Sequence, residues 1–174
     1  MKTIALIVPK GSKYGKNSLL KRFLEKSDVV SSFYGAWETP NLSLLTIAGV
    51  IPKQYHVEFI DEDHGIEIPF SRHFDIVALT GMTQQIYRAY EIAQEFKKRG
   101  SYIVLGGIHA SVLPEEALEI FDTVFIGEGE KTWPRFLQDY EKGTPKYLYR
   151  SDGFVLLEQS PIPRYDLLDP SLYK

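Results

Sequence analysis

Three short stretches hold the residue types that could do chemistry, and each carries glycine: Thr80-Gly81-Met82-Thr83, Gly106-Gly107 and Gly127-Glu128-Gly129-Glu130. Glycine lacks a Cβ, so at such turns the backbone can bend sharply and a flat or phosphorylated ligand can approach the main chain. His109, two residues past the Gly-Gly pair, could offer its imidazole to a ligand. Its plainer role is a hydrogen bond that fixes the tight connection, and that reading is preferred. Glu128 and Glu130 could work as acid and base. At a helix start, however, carboxylates cap N–H groups and answer the dipole, which is the role expected of them. Asp61 could bind a ribose hydroxyl at a strand end. Asp61, Glu62, Asp63 and His64 could also approach a metal, but four adjacent residues rarely converge on one ion, so an exposed turn is the expectation.

The polar loop after the first apolar run holds Gly11, Gly15, Lys16 and Ser18. A phosphate loop needs glycine five residues before its Gly-Lys pair and Ser or Thr directly after it, and here those places hold Lys10 and Asn17. The plainer reading is a solvated basic loop leading into a short helix over Ser18 to Glu25. There are no cysteines, which excludes disulfides, cysteine nucleophiles, thiolate zinc sites and protein-held iron–sulfur clusters within these residues. A formal net charge of −3 leaves no global footprint for nucleic acid or acidic membranes. No apolar run approaches the roughly 20 residues of a membrane-spanning helix, and the opening MKTIALIVPK reads as a strand, not a signal peptide. A cytoplasmic protein is expected.

The elements that must position these turns follow from periodicity. Thr3 to Val8, Phe74 to Thr80, Tyr102 to Leu105 and Thr123 to Ile126 are nearly unbroken apolar runs, the pattern of strands buried on both faces. Tyr55 to Ile60 alternates and reads as a strand with one less buried face. Helices are expected from Asn41 or Ser43 to about Ile51, from Gln85 to Arg99, from Pro114, and from Trp133 to Tyr140, with Trp133 and Tyr87 placed in the core. Strands separated by helices imply an α/β, Rossmann-like or flavodoxin-like, doubly wound parallel sheet of five strands in order 2-1-3-4-5, its ligand crevice at the carboxyl edge. Residues 1–143 form this domain. In 144–174, Tyr147 to Arg150 and Phe154 to Leu157 straddle Ser151-Asp152-Gly153 and are expected to form a β-hairpin, followed by an extended, proline-punctuated tail.

The run GGIHASVLPEEALEIFDTVFIGEGEKTWPRFLQDYEKG, with PNLSLLTIAGVI and FDIVALTGMT before it and IPRYDLLD after it, resembles the amino-terminal cobalamin-binding-type domain of radical S-adenosylmethionine enzymes, the group that includes anaerobic magnesium-protoporphyrin cyclase. The resemblance implies a cobalamin whose corrin lies over the carboxyl-end loops while its nucleotide tail enters between strands, admitted by glycines. Thr80, Gly81 and Met82 then stand at a Ser-x-Leu element, Gly106 and Gly107 at a Gly-Gly pair with His109 beyond it, and Gly127, Glu128, Gly129 and Glu130 in the next loop. It also implies a following barrel in the same parent chain, absent from this one, which would hold S-adenosylmethionine and a four-iron, four-sulfur cluster and take a small-molecule substrate. These residues are then an excised amino-terminal domain, without catalysis of their own.

One departure bears on the cofactor. Placing the cobalamin-loop pattern DxHxxG on Gly15 puts Lys10 at the aspartate and Ser12 at the histidine, so the axial imidazole is missing. Two function classes follow: a cobalamin-binding module of a larger radical S-adenosylmethionine enzyme, of iron–sulfur oxidoreductase or methyltransferase type, or a non-catalytic docking or substrate-holding domain of the same enzyme family that does not bind cobalamin. A free-standing flavodoxin-like nucleotide binder is permitted by fold alone.

Overall fold

The computed structural model describes residues 1–11 and 39–173. Its strands are β1 (Lys2–Val8), β2 (Tyr55–Asp61), β3 (Ile76–Thr80), β4 (Tyr102–Gly106), β5 (Thr123–Ile126) and β6 (Leu148–Arg150). They form one six-stranded sheet in the order β2-β1-β3-β4-β5-β6, every neighbouring pair parallel. The expected order therefore holds for the first five strands, and a sixth joins at the far edge.

Side chains alternate across the pleat, so each strand feeds two cores. One face carries Ile4, Leu6, Ile76, Ala78, Val104 and Phe125, packed by α1 (Leu42–Gly49) and α5 (Thr132–Glu141). The other carries Ala5, Ile7, Val77, Leu79, Ile103, Leu105 and Val124, covered by α2 (Ile86–Lys97), α3 (Ile108–Val112) and α4 (Pro114–Leu118). Asn41 caps α1, accepting the Leu44 N–H at 3.0 Å. Pro114 opens α4, where its missing N–H is harmless.

Three expectations need correction. The C-terminal hairpin does not form: Leu148, Tyr149 and Arg150 pair in parallel with Val124, Phe125 and Ile126. Extending an existing sheet lets Tyr149 bury its ring, stacked on Phe125 at 5.5 Å, whereas an isolated two-stranded hairpin would have no core to share. The would-be return strand instead leaves Phe154 and Leu157 each 91% exposed. Tyr87 is also not core: it is exposed on α2, whose buried face is Ile86, Ala89, Ile92, Ala93 and Phe96. Finally, the chain enters α3 directly after Gly107, before the helix expected at Pro114. The helix expected over Ser18 to Glu25 lies outside the described residues.

Candidate functional site

At the carboxyl ends of β3, β4 and β5 a cavity of about 340 Å³ opens toward α1. Its floor is Ala78, Leu79, Thr80 and Val104, with Gly106, Gly107 and Phe125 beside them. Ser43, Leu44, Thr46 and Ile47 of α1 form one wall; the loop Gly127 to Glu130 and Trp133 of α5 form the other. The volume is in the range of small-molecule and cofactor sites, and the lining has their character, mostly apolar with a few polar groups.

Glycine is required for this shape at Gly107 and permits a close approach at Gly129. Gly107 sits at φ +96°, and a Cβ there would lie 2.7 Å from Thr80 Oγ1 and 3.1 Å from the Gly81 nitrogen. The second turn, Gly127 to Glu130, passes so close to α1 that a Cβ on Gly129 would fall 2.5 Å from Ile47 Cδ1. The backbones of the two walls thus approach as far as their side chains allow, and a cradle remains between them.

Thr80, Gly106, Gly107, Gly127, Glu128, Gly129 and Glu130, all singled out in the sequence, come together around this cavity. Gly81 and Met82 stand just outside it. The Gly81 carbonyl accepts the His109 N–H at 3.3 Å, and Met82 is half exposed. His109 is buried in the opposite core, where Nδ1 lies 3.3 Å from Thr83 Oγ1 and Nε2 lies 3.6 Å from Glu116 Oε1. It ties the Thr80-to-Thr83 turn to α3, the tethering role preferred above. Ser12 and Gly15 lie outside the described residues.

Glu128 and Glu130 do not cap α5, whose first residues have no side-chain cap. Glu128 accepts the Val155 N–H, and Glu130 accepts a hydrogen bond from Ser160 Oγ at 3.3 Å. These carboxylates anchor the segment after β6. It then crosses α1, with Arg164 N–H donating to the Leu45 carbonyl at 3.0 Å, and ends with the Tyr173 hydroxyl donating to Asp61 Oδ2 at 2.9 Å. The segment therefore bridges both cavity walls.

The acidic turn after β2 is likewise not a solvated loop. Asp61 is fully buried and also accepts from the His64 N–H at 3.2 Å, and its Oδ2 lies 2.9 Å from His64 Nδ1. Burial and the adjacent Asp61 carboxylate both push the Tyr173 hydroxyl above its ordinary range. Glu62 accepts the Lys10 N–H at 3.0 Å and pairs with Arg88, and Asp63 accepts the Gly11 N–H, so this turn holds the start of the loop after β1. Burial would raise the Glu62 carboxyl, but the hydrogen bonds from Arg88 and Lys10 outweigh it and hold it below the usual range. Among the described residues no three His, Asp or Glu side chains are grouped to hold a metal ion.

Sequence reasoning missed the part played by α1 and Trp133. Leu44 and Ile47 read only as a buried stripe, and Trp133 only as core. Trp133 is part of the cavity wall and is buried, and among the described residues its Nε1 has no hydrogen-bond partner.

Comparison with known proteins places these features in a family. The family model described as B12 binding domain matches residues 26–137, more than half of the chain. The chain is 38% identical over 114 residues to bacteriochlorophyllide d C-8(2)-methyltransferase of Chlorobaculum tepidum, covering 66% of this chain and 25% of that protein. It is 34% identical over 121 residues to bacteriochlorophyllide d C-12(1)-methyltransferase of the same organism, covering 68% of this chain and 26% of the relative. The chain therefore spans about a quarter of the length of these relatives. The same fold occurs in the cobalamin-dependent S-adenosylmethionine radical enzyme OxsB, solved with aqua-cobalamin bound, at a TM-score of 0.53 and 22% identity over 84% of this chain and 19% of that one. Among the described residues no helix is long and apolar enough to cross a membrane.

Proposed function

Since the chain belongs to the B12-binding domain family, we propose that it is the cobalamin-binding module of a larger cobalamin-dependent radical S-adenosylmethionine enzyme of methyltransferase type. The observation that carries this reading is the cavity at the carboxyl edge, walled by Thr80, Gly106, Gly107 and the Gly127-to-Glu130 loop. The cavity would take the nucleotide tail, and the loops above it would face the corrin. When bound, cobalamin supplies a carrier for a methyl group or a modulator of radical chemistry. The chain's own residues bind and orient. Gly107 and Gly129 allow the close approaches that shape the lining, and the hydroxyls of Thr80 and Ser43 would offer donors to a bound tail. Leu44, Phe125 and Trp133 would exclude water from the ring of a bound tail.

That the two relatives are methyltransferases supports methyl transfer, and their greater length supports a partner domain carrying the rest of the reaction. In this reading residues 144–174 lead toward a barrel that holds S-adenosylmethionine and a four-iron, four-sulfur cluster and receives a small-molecule substrate. One observation favours a second reading, a docking domain without cobalamin: Lys10 and Ser12 occupy the aspartate and histidine places of the axial-ligand loop. Titration of the chain with hydroxocobalamin and methylcobalamin, followed by corrin absorption and binding heat, decides between them. Saturable binding without an imidazole-ligand spectrum supports the module. Absence of binding, repeated with the longer parent chain, favours the docking domain.

A further inference from the structure

The two walls of the cavity are joined twice. They meet directly where Gly129 passes α1, close enough that a Cβ there would fall 2.5 Å from Ile47 Cδ1. They are joined again by the segment after β6, none of whose described residues belongs to the lining. On the loop side, Glu128 accepts the Val155 N–H and Glu130 accepts from Ser160 Oγ at 3.3 Å. On the α1 side, the Arg164 N–H donates to the Leu45 carbonyl at 3.0 Å. The segment also lies against the last residue of α1: a Cβ on Gly49 would fall 2.8 Å from the Ile162 carbonyl oxygen and 3.0 Å from Pro161 Cβ. Beyond Arg164, Leu167 and Leu168 pack against the core that holds Leu44 and Phe125, so this end is held by more than one bond. The anchors reach the lining itself, since Glu128 and Glu130 belong to it, as do Leu44 and Thr46 on either side of Leu45.

Between Ser160 and Arg164 the chain is only Pro161-Ile162-Pro163. Each proline locks its own φ and holds the residue before it in extended backbone, and Ser160 is extended at φ −72° and ψ 136°. Such a stretch is a stiff spacer that advances about 3.1 Å per residue. One contact leaves two walls free to pivot about it; a second link of fixed length removes that freedom. We propose that Ser160 to Arg164 is a specificity-determining spacer. Pro161 and Pro163 are positioning residues that fix the separation of α1 from the Gly127-to-Glu130 loop, and so favour corrinoids whose tail ring fits between the walls over corrinoids without a tail. The proposal rests on the cobalamin reading above. A cavity already held at the width of the tail loses none of the binding free energy to arranging its walls.

The test measures affinities of the 174-residue chain for hydroxocobalamin and for cobinamide, which carries no tail base, and repeats them with the double variant Pro161→Gly, Pro163→Gly. Glycine keeps every anchor and frees the backbone between them. The variant should lose about tenfold toward hydroxocobalamin, with cobinamide within about twofold of the unmodified chain. A merely structural role would lower the melting temperature and leave both affinities as they were; that result overturns the proposal, as does an equal loss toward both. The unmodified chain gives a second reading, which decides if the variant does not fold. By linkage, whatever factor the docked spacer adds to tail binding, the tail adds to spacer docking. Hydrogen exchange at the Arg164 amide should therefore slow by at least about threefold under saturating hydroxocobalamin and not under cobinamide. Exchange unchanged by hydroxocobalamin, or slowed equally by both, overturns the spacer's role while leaving cobalamin binding intact. Failure of both corrinoids to bind the unmodified chain overturns the cobalamin reading itself, and this selectivity with it.

Discussion

Replacing Gly107 by alanine separates the two adjacent glycines at the end of β4. At Gly107 the backbone has φ +96° and ψ −173°, a region that is essentially glycine-only and costs other residues about 1–3 kcal/mol. The new Cβ would also lie 2.7 Å from Thr80 Oγ1, 3.1 Å from the Gly81 nitrogen and 3.2 Å from its carbonyl oxygen. Two of these are backbone atoms that cannot rotate away, and forced overpacking of this kind adds about 1–3 kcal/mol. The expected loss is therefore about 2–6 kcal/mol. At Gly106 a Cβ meets only Phe125 Cβ, at the ordinary contact distance of 3.8 Å, and no positive φ is required. Gly106→Ala should thus fall within about 1 kcal/mol of the parent, in either direction. Urea unfolding followed by far-UV circular dichroism measures both variants, and thermal melting should show Gly107→Ala lowered by roughly 4–24 °C. A Gly107→Ala protein within about 0.5 kcal/mol of the parent would refute the close approach of β4's exit to the Thr80-Gly81 turn.

Gly106→Val should keep the fold but extend side-chain atoms beside the cavity. Hydroxocobalamin affinity should fall at least about tenfold while the far-UV spectrum stays unchanged, and undiminished binding would move the tail elsewhere. Arg88→Met removes the ion pair that helps hold the Glu62 carboxyl below its ordinary value of 4.5. A depressed carboxyl contributes stability that is present above its unfolded pKa and lost as pH falls through the folded value. The parent should therefore lose stability below about pH 4.5, and Arg88→Met should lose less over the same interval, as read from urea midpoints at pH 7 and pH 3.5. Glu128→Ala leaves the Val155 N–H without its acceptor, so hydrogen exchange should accelerate there while β3 and β4 amides remain protected. Tyr173→Phe removes one donor from the buried Asp61 carboxylate and should cost about 1.5–3 kcal/mol in denaturant unfolding.

The parallel sheet was legible because strands buried on both faces are unbroken apolar runs, and β1, β3, β4 and β5 have that pattern. The glycine turns were legible for a related reason. A chain leaving such a sheet must turn at once, and Gly106-Gly107 and Gly127-Glu128-Gly129 provide the turns. The sixth strand was not legible. Three residues with Ser-Asp-Gly after them fit a hairpin equally well, and each residue's parallel partner, as in Val124 and Leu148, lies 24 residues back in sequence. The role of α1 was hidden because Leu44 and Ile47 have the same spacing whether they meet a filled core or a cavity. Tyr87 fits an apolar stripe by spacing, but its neighbour Ile86 takes the inward direction. Asp61 was read as a turn residue because its buried partner Tyr173 comes from the far end of the chain, leaving no local signal.

The cavity walls are not a separate compartment. Leu44, Val104, Phe125 and Trp133 line it and also belong to one of the two cores on which the sheet is built. The cavity lies within that core, so its lining side chains make fewer contacts with protein than those of a fully packed interior. A molecule seated there completes the packing of the domain as well as occupying a site, so affinity and resistance to unfolding rise together: a ligand at a hundred times its dissociation constant adds about 2.7 kcal/mol. Loaded copies then open less often than empty ones, and a protease that cleaves only opened chains would sort one from the other without recognising the ligand.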